Sequence, residues 1–169
     1  MRAVKFVLVL LFALGLHVVG TWLLPELPLF LDLFLVVTVL NALGGSSLAG
    51  LGGGTVAGLT HDALSGRLFG LHGFADTITG YAVARAAQRL DLVGPGAVLV
   101  TVALATLFEE TVFVLIALLF TDPEPPDPMW VVIQALANAA AGTILYLVAG
   151  RARSLRNRAE RRRTARIRL

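Results

Sequence analysis

The chain has no cysteine, and only 15% of its 169 residues are charged. The first absence removes disulfides and thiolate chemistry and leaves the redox compartment unreadable. The second carries more information, because about a quarter of a soluble chain is charged. Apolar residues fill the gap: 57% of the chain is hydrophobic and the mean hydropathy is +0.82. Basic residues are also scarce over most of the length. Between Arg151 and Leu169 nine arginines stand against Glu160 alone, a net of +8, while the whole chain carries +3. Everything before Arg151 is therefore net acidic, and the pI of 10.2 belongs to a tail. The apolar residues come in blocks long enough to cross a bilayer, which takes about 20 residues per helix. The sequence predicts an all-α membrane protein, a polytopic bundle of about six transmembrane helices over residues 1–150, followed by a basic cytoplasmic tail at 151–169.

The expected spans are Val4–Leu24, Leu29–Leu43, Leu48–Leu64, Leu68–Leu90, Ala97–Phe120 and Met129–Ala149. No A-x-A-like cleavage site follows the first block, so it is expected to be a retained span rather than a signal peptide. Pro25 and Pro28 mark the first turn, Gly94-Pro95-Gly96 enters the fifth span, and a stiff acidic connector with four prolines runs from Thr121 to Pro128. Arg2, Lys5, Arg85, Arg89 and the arginine tail all fall on one side of this arrangement. The loops at Glu26 and at Asp122–Asp127 carry no basic residue. The positive-inside rule then places both termini in the cytoplasm, with Arg67 alone on the wrong side.

Through the middle, Gly50, Gly54, Gly58, Asp62, Gly66 and Gly70 recur at every fourth position. Small residues let helix backbones approach closely in lipid, where no hydrophobic drive brings helices together. A four-residue step overshoots one turn, so the row drifts around the helix by about 40° per step. All six cannot share a face, and with the break near Ser65 this predicts two tightly packed helices. Asp62 stands out in the row, because a carboxylate within a span is costly and needs a partner, a cavity or water. Capping the start of the fourth helix is the favoured role, since aspartate accepts hydrogen bonds from free helix amides.

These residues resemble the rod shape-determining protein MreD family. Gly58-Leu59-Thr60-His61-Asp62, then Gly66, Gly70-Leu71-His72 and Gly80-Tyr81, are similar to that family's central signature of G-L-x-x-D-x-x-x-G-x-x-x-G-L-H before a G-Y pair. Pro28 and Asp32 resemble its Pro-Asp pair at the start of the second span, here held apart by intervening residues. The likeness in motif covers residues 28 to 81, and the likeness in length, spans and basic tail covers the whole chain. It implies a non-enzymatic scaffold or regulator of the cell-elongation complex in the bacterial cytoplasmic membrane. The implied partners are an MreC-like single-span protein, the RodA glycosyltransferase, its penicillin-binding transpeptidase and the MreB cytoskeleton. It implies no catalytic residue, no cofactor, and a fold like the substrate-binding subunit of energy-coupling-factor vitamin transporters. Structural or partner-contact candidates are Asp32, Gly54, Gly58, Asp62, Gly66, Gly70, Tyr81, Glu109 and Glu110.

Other polar residues have plainer readings. Glu109 and Glu110 lie near the middle of the fifth span, where two charges are too costly. At least one is expected to be protonated or wet, with pairing to Arg85 or a wet interface as the plain explanation. His72 and Asp76 share a helical face, and His61 adjoins Asp62, but a metal needs three or four converging ligands. Local hydrogen bonding is expected there instead, and His17 is expected to be a packing histidine. Gln134 and Asn138, four apart, are expected to hydrogen-bond between helices. Gly44-Gly45-Ser46-Ser47 has the look of an intramembrane serine protease turn, but no histidine follows His72 to serve as base. Arg151 to Arg168 suit anionic lipids, or a filament, better than nucleic acid. The rival readings are a vitamin-binding transporter subunit, against which the first span lacks an A-x-x-x-A motif, and a six-span transporter, for which no inverted repeat is visible.

Overall fold

The computed structural model describes the backbone of residues 2–66, 68–120 and 126–167, and the side chains of these except residues 2, 153 and 155–167. All regular structure among them is helical: α1 Arg2–Leu23, α2 Leu27–Phe30, α3 Leu33–Gly44, α4 Ser47–Ser65, α5 Leu71–Ala87, α6 Pro95–Phe120 and α7 Pro128–Ile167. These make six rods at the places expected, the second broken into α2 and α3. Four of the six, with α2 and α3 counted as one, are long and apolar enough to cross a membrane. The other two, α4 and α5, are diluted in apolar character by glycine and polar residues, and they pack most intimately against each other. Arg67 and the connector at 121–125 lie outside the described residues.

The break between α2 and α3 follows from Asp32. Its backbone is extended (φ −104°, ψ 96°), and its carboxylate accepts the Phe34 and Leu35 amides at 2.9 and 3.0 Å, as an N-cap does. Similar punctuation sets the other ends. The Ser46 hydroxyl accepts the Ala49 amide at the start of α4, Gly66 closes that helix at φ +63°, and Gly94 at φ +100° precedes α6. Asp127 accepts the Met129 amide at the start of α7, which then runs on without interruption past Gly150 into the arginine tail.

The architecture is a post inside a ring. Helix α3 touches α1, α4, α5, α6 and α7, and those helices, with α2, contact one another in a closed circuit around it. Leu33 to Val39 are all buried, and the main core joins Leu35, Val36, Val39 and Ala42 to Val83 and Ala84 of α5, Val98, Val102 and Ala105 of α6, and Ala139 of α7. With twelve residues α3 rises only about 18 Å, well short of a hydrocarbon core of about 30 Å. A cavity of about 920 Å³ opens at the end of α3 that carries Asp32, lined from α1, α2, α4, α5, α6 and α7.

Gly50, Gly54 and Gly58 form the seam between α4 and α5. A Cβ on Gly50 would strike the Gly80 carbonyl, on Gly54 the Asp76 carbonyl, and on Gly58 the His72 carbonyl. Only glycine lets the two backbones lie this close. Thr55 and Thr77 hydroxyls share a 2.7 Å hydrogen bond across the seam, and Gln88 reaches Ser47 at its far end.

Candidate functional site

The Asp32 end of the post gathers the buried polar residues of five elements. The Asp32 amide donates to Asn138 Oδ1 at 2.8 Å, and Asn138 Nδ2 donates in turn to Thr106 Oγ1 at 3.2 Å. One turn earlier on α7, Gln134 donates to the Pro28 carbonyl at 3.1 Å. The pair four apart on α7 thus fixes both sides of the α2–α3 break, the interhelical role expected of it. Asp32 has its second oxygen 3.5 Å from His61 Nδ1.

Asp62, at 2% exposure, is the cap of α5. One carboxylate oxygen accepts the Gly70 and Gly73 amides, each at 2.9 Å, and the other accepts the His72 amide at 3.0 Å and lies 2.9 Å from the His72 ring nitrogen. A helix start leaves its first amides without partners inside the helix. Here a residue of the preceding helix satisfies them and closes the α4–α5 turn. This removes the reason to invoke chemistry at Asp62.

All three histidines of the chain converge at the cavity. His17 packs on Phe34 and His61 with ring centroids 5.2 and 5.9 Å apart, His61 stacks on Phe34 at 5.1 Å and meets His72 at 4.0 Å, and His72 meets Phe113 at 4.5 Å. His17 is a packing histidine as expected, and it also lines the cavity. The expected His72–Asp76 relation is replaced, because the turn swings His72 back onto Asp62. Asp76 lies instead beneath Gly54, fully buried, with neither carboxylate oxygen partnered among the described residues. Glu109 and Glu110 both line the cavity, Glu109 at 3% exposure and with Oε1 unpartnered among the described residues. Glu109 thus faces the cavity, whereas the Arg85 side chain is exposed on α5.

Among the described residues no three or more His, Asp or Glu side chains are placed to hold a metal ion. Serine chemistry is equally unsupported. Ser46 begins α4 while His61 lies near its other end, about 22 Å along the helix by rise.

The model of the family described as rod shape-determining protein MreD matches residues 1–151. The chain belongs to the MreD family. Neither a curated protein nor a solved structure matches it. Membership assigns this MreD chain a role in determining rod shape, within a family of structural membrane proteins rather than enzymes. The match covers the helical bundle and ends at Arg151, where the arginine tail begins.

The signature residues of this MreD protein divide into two kinds. Gly54 and Gly58 are consumed by the α4–α5 seam, so they hold the chain to itself and present no face to a partner. Gly66 and Gly70 are a correction to the glycine ladder. With φ of +63° and +103° they form the turn, and open space surrounds the position of a Cβ on each. Accordingly α5 starts at Leu71 rather than Leu68, and the ladder is two structures in one spacing, a packing seam followed by a turn. Gly80 abuts Gly50, which leaves Tyr81 of the G-Y pair exposed on the outside of α5. The convergence of His17, His61 and His72 had no local signal, since they lie on three helices.

Proposed function

We propose that this chain is a non-enzymatic scaffold of the bacterial cell-elongation machinery, seated in the cytoplasmic membrane with both termini in the cytoplasm. In that setting it holds an MreC-like single-span protein and, through it, the RodA glycosyltransferase, its penicillin-binding transpeptidase and MreB. The match to the shape-determining family over residues 1–151 carries the reading. Two structural features support it. Asp62 and Asn138 are taken up in capping and interhelical hydrogen bonds that tie the bundle together. Meanwhile α1 buries little of itself and exposes Leu8, Leu11, Phe12 and Val19, a long apolar face on which one more helix can lie. Since the glycine seam is closed, the partner helix belongs on α1 or on the exposed apolar flanks of α6 and α7. An even number of helical rods, six with α2 and α3 counted as one, and the one-sided distribution of Arg2, Lys5, Arg85 and Arg89 support the topology.

The test is purification of the full chain from its native membrane in mild detergent, with mass identification of what accompanies it. Recovery of a single-span MreC-like protein or a synthase supports the scaffold, and Phe12→Ala with Leu8→Ala should then reduce recovery without changing the amount of this chain. Recovery of ATPase subunits instead would replace it with the transporter reading.

A further inference from the structure

The cavity above α3 has features that a packing void does not. Its volume of about 920 Å³ falls in the range of about 300–1,000 Å³ typical of small-molecule sites. Its walls carry the carboxyl groups of Asp32, Glu109, Glu110 and Asp127, and no lysine or arginine among the described residues. Glu109 is 97% buried in α6, and its Oε1 meets no donor among the described residues. A carboxylate in a membrane interior is tolerated when a cation or a strong donor meets it, and no described cation of this chain reaches Glu109. Aromatic faces complete the lining. The His72 and Phe113 rings lie 4.5 Å apart, and Trp130 stands on the α7 side. Such faces attract ammonium groups. An anionic ligand would meet the Asp32, Glu109 and Asp127 carboxyl groups with only histidines, and no lysine or arginine, as bases among the described residues, and a bare metal ion would lack converging ligands among them.

We infer that this cavity binds a small organic cation through an ammonium group, with Glu109 as its principal counter-charge and the aromatic wall as its cradle. The ammonium can belong to a soluble amine or to the headgroup of an ethanolamine lipid. The site does not rest on the partner assignments above, since every group in it comes from this chain.

Benzylammonium, benzoate and benzyl alcohol share one shape and differ in charge, so they isolate the recognition chemistry. The full chain carrying Trp22→Phe, which leaves Trp130 as sole tryptophan, is placed in phosphatidylglycerol nanodiscs in amine-free buffer and titrated with each probe. Benzylammonium is expected to change Trp130 emission saturably, and the other two are not. Glu109→Gln is expected to weaken benzylammonium binding by about tenfold or more, the scale for losing a buried charge partner. Val114→Phe adds bulk to the cavity wall on α6 without removing a carboxyl group and is expected to abolish the response, which keeps the test decisive if Glu109→Gln does not fold. Adding phosphatidylethanolamine to the nanodiscs separates the sources. Competition with benzylammonium assigns the site to the lipid headgroup, and unchanged affinity assigns it to a soluble amine. Benzoate binding as well as benzylammonium, the absence of a saturable response, or binding indifferent to both variants would each overturn the inference.

Discussion

The Asp62 carboxylate of α4 lies 2.9 Å from the His72 ring of α5 while it also holds the Gly70, His72 and Gly73 amides. One buried side chain thus sets both the sharpness of the α4–α5 turn and the direction of His72 into the cavity. The carboxylate is best understood as the fourth wall of a helix terminus.

Replacing it should expose that role. Asp62→Ala leaves three amides near a buried turn without an acceptor, and an unsatisfied buried group costs about 1–3 kcal/mol. A loss at or above that range is expected in thermal unfolding of the purified protein. His72→Ala, which leaves the amide bonds intact, should cost clearly less. Equal losses would mean that the imidazole, not the amides, holds the turn.

The glycine seam gives a second expectation, with an internal control. At Gly58 a methyl group would meet the His72 carbonyl and Gly73 Cα, which are backbone atoms that cannot turn aside. Gly58→Ala should therefore force α4 from α5 and destabilise by about 1–3 kcal/mol, the usual scale of overpacking. Gly52, two turns away and facing open space, should accept alanine with no loss, or with a gain of up to about 1 kcal/mol from helix propensity. Thermal scans of the two variants side by side check this.

At the turn, the expectation is conformational rather than steric. Gly70→Ala places a side chain at φ +103° in open space, so strain alone, about 1–3 kcal/mol, should set its effect. Hydrogen exchange localised to the amides of 70–73 should rise in this variant and stay unchanged in Gly52→Ala.

Asn138 and Thr106 offer a double-mutant cycle. Asn138→Leu strands the Asp32 amide, whereas Thr106→Val removes only a second bond on the same side chain. Interhelical hydrogen bonds in membranes average about 0.6 kcal/mol with a maximum near 1.7. Asn138→Leu should fall at or above the top of that range, and the coupling to Thr106 near its average. No coupling would separate the two bonds physically.

Much of this is legible in the sequence. The six rods, the turn near Ser65 and the capping by Asp62 follow from apolar block length, proline and glycine punctuation, and the cost of a carboxylate in lipid. These are local properties, written within a few turns of the residues they govern. What escaped was of the other kind. Gly66 and Gly70 continue the spacing of Gly50, Gly54 and Gly58 but use glycine for its positive φ, and spacing alone does not distinguish these uses. His17 looked isolated because its neighbours His61 and His72 arrive from helices more than forty residues downstream. The cavity itself is lined from six helices far apart in sequence, so no local stretch announces it.

The bond between the Asp32 amide and Asn138 spans 106 residues of sequence, and this has a consequence in time. Chains emerge at about 5–20 residues per second, so the post stands in the membrane for roughly 5 to 20 s before the residue that receives its first amide has been made. Until then its polar end must be borne by transient partners such as lipid headgroups or water. The last helix to arrive locks the second one, so shape is committed only when synthesis is nearly complete, and any chain halted before α7 should remain an open, unlatched array of helices.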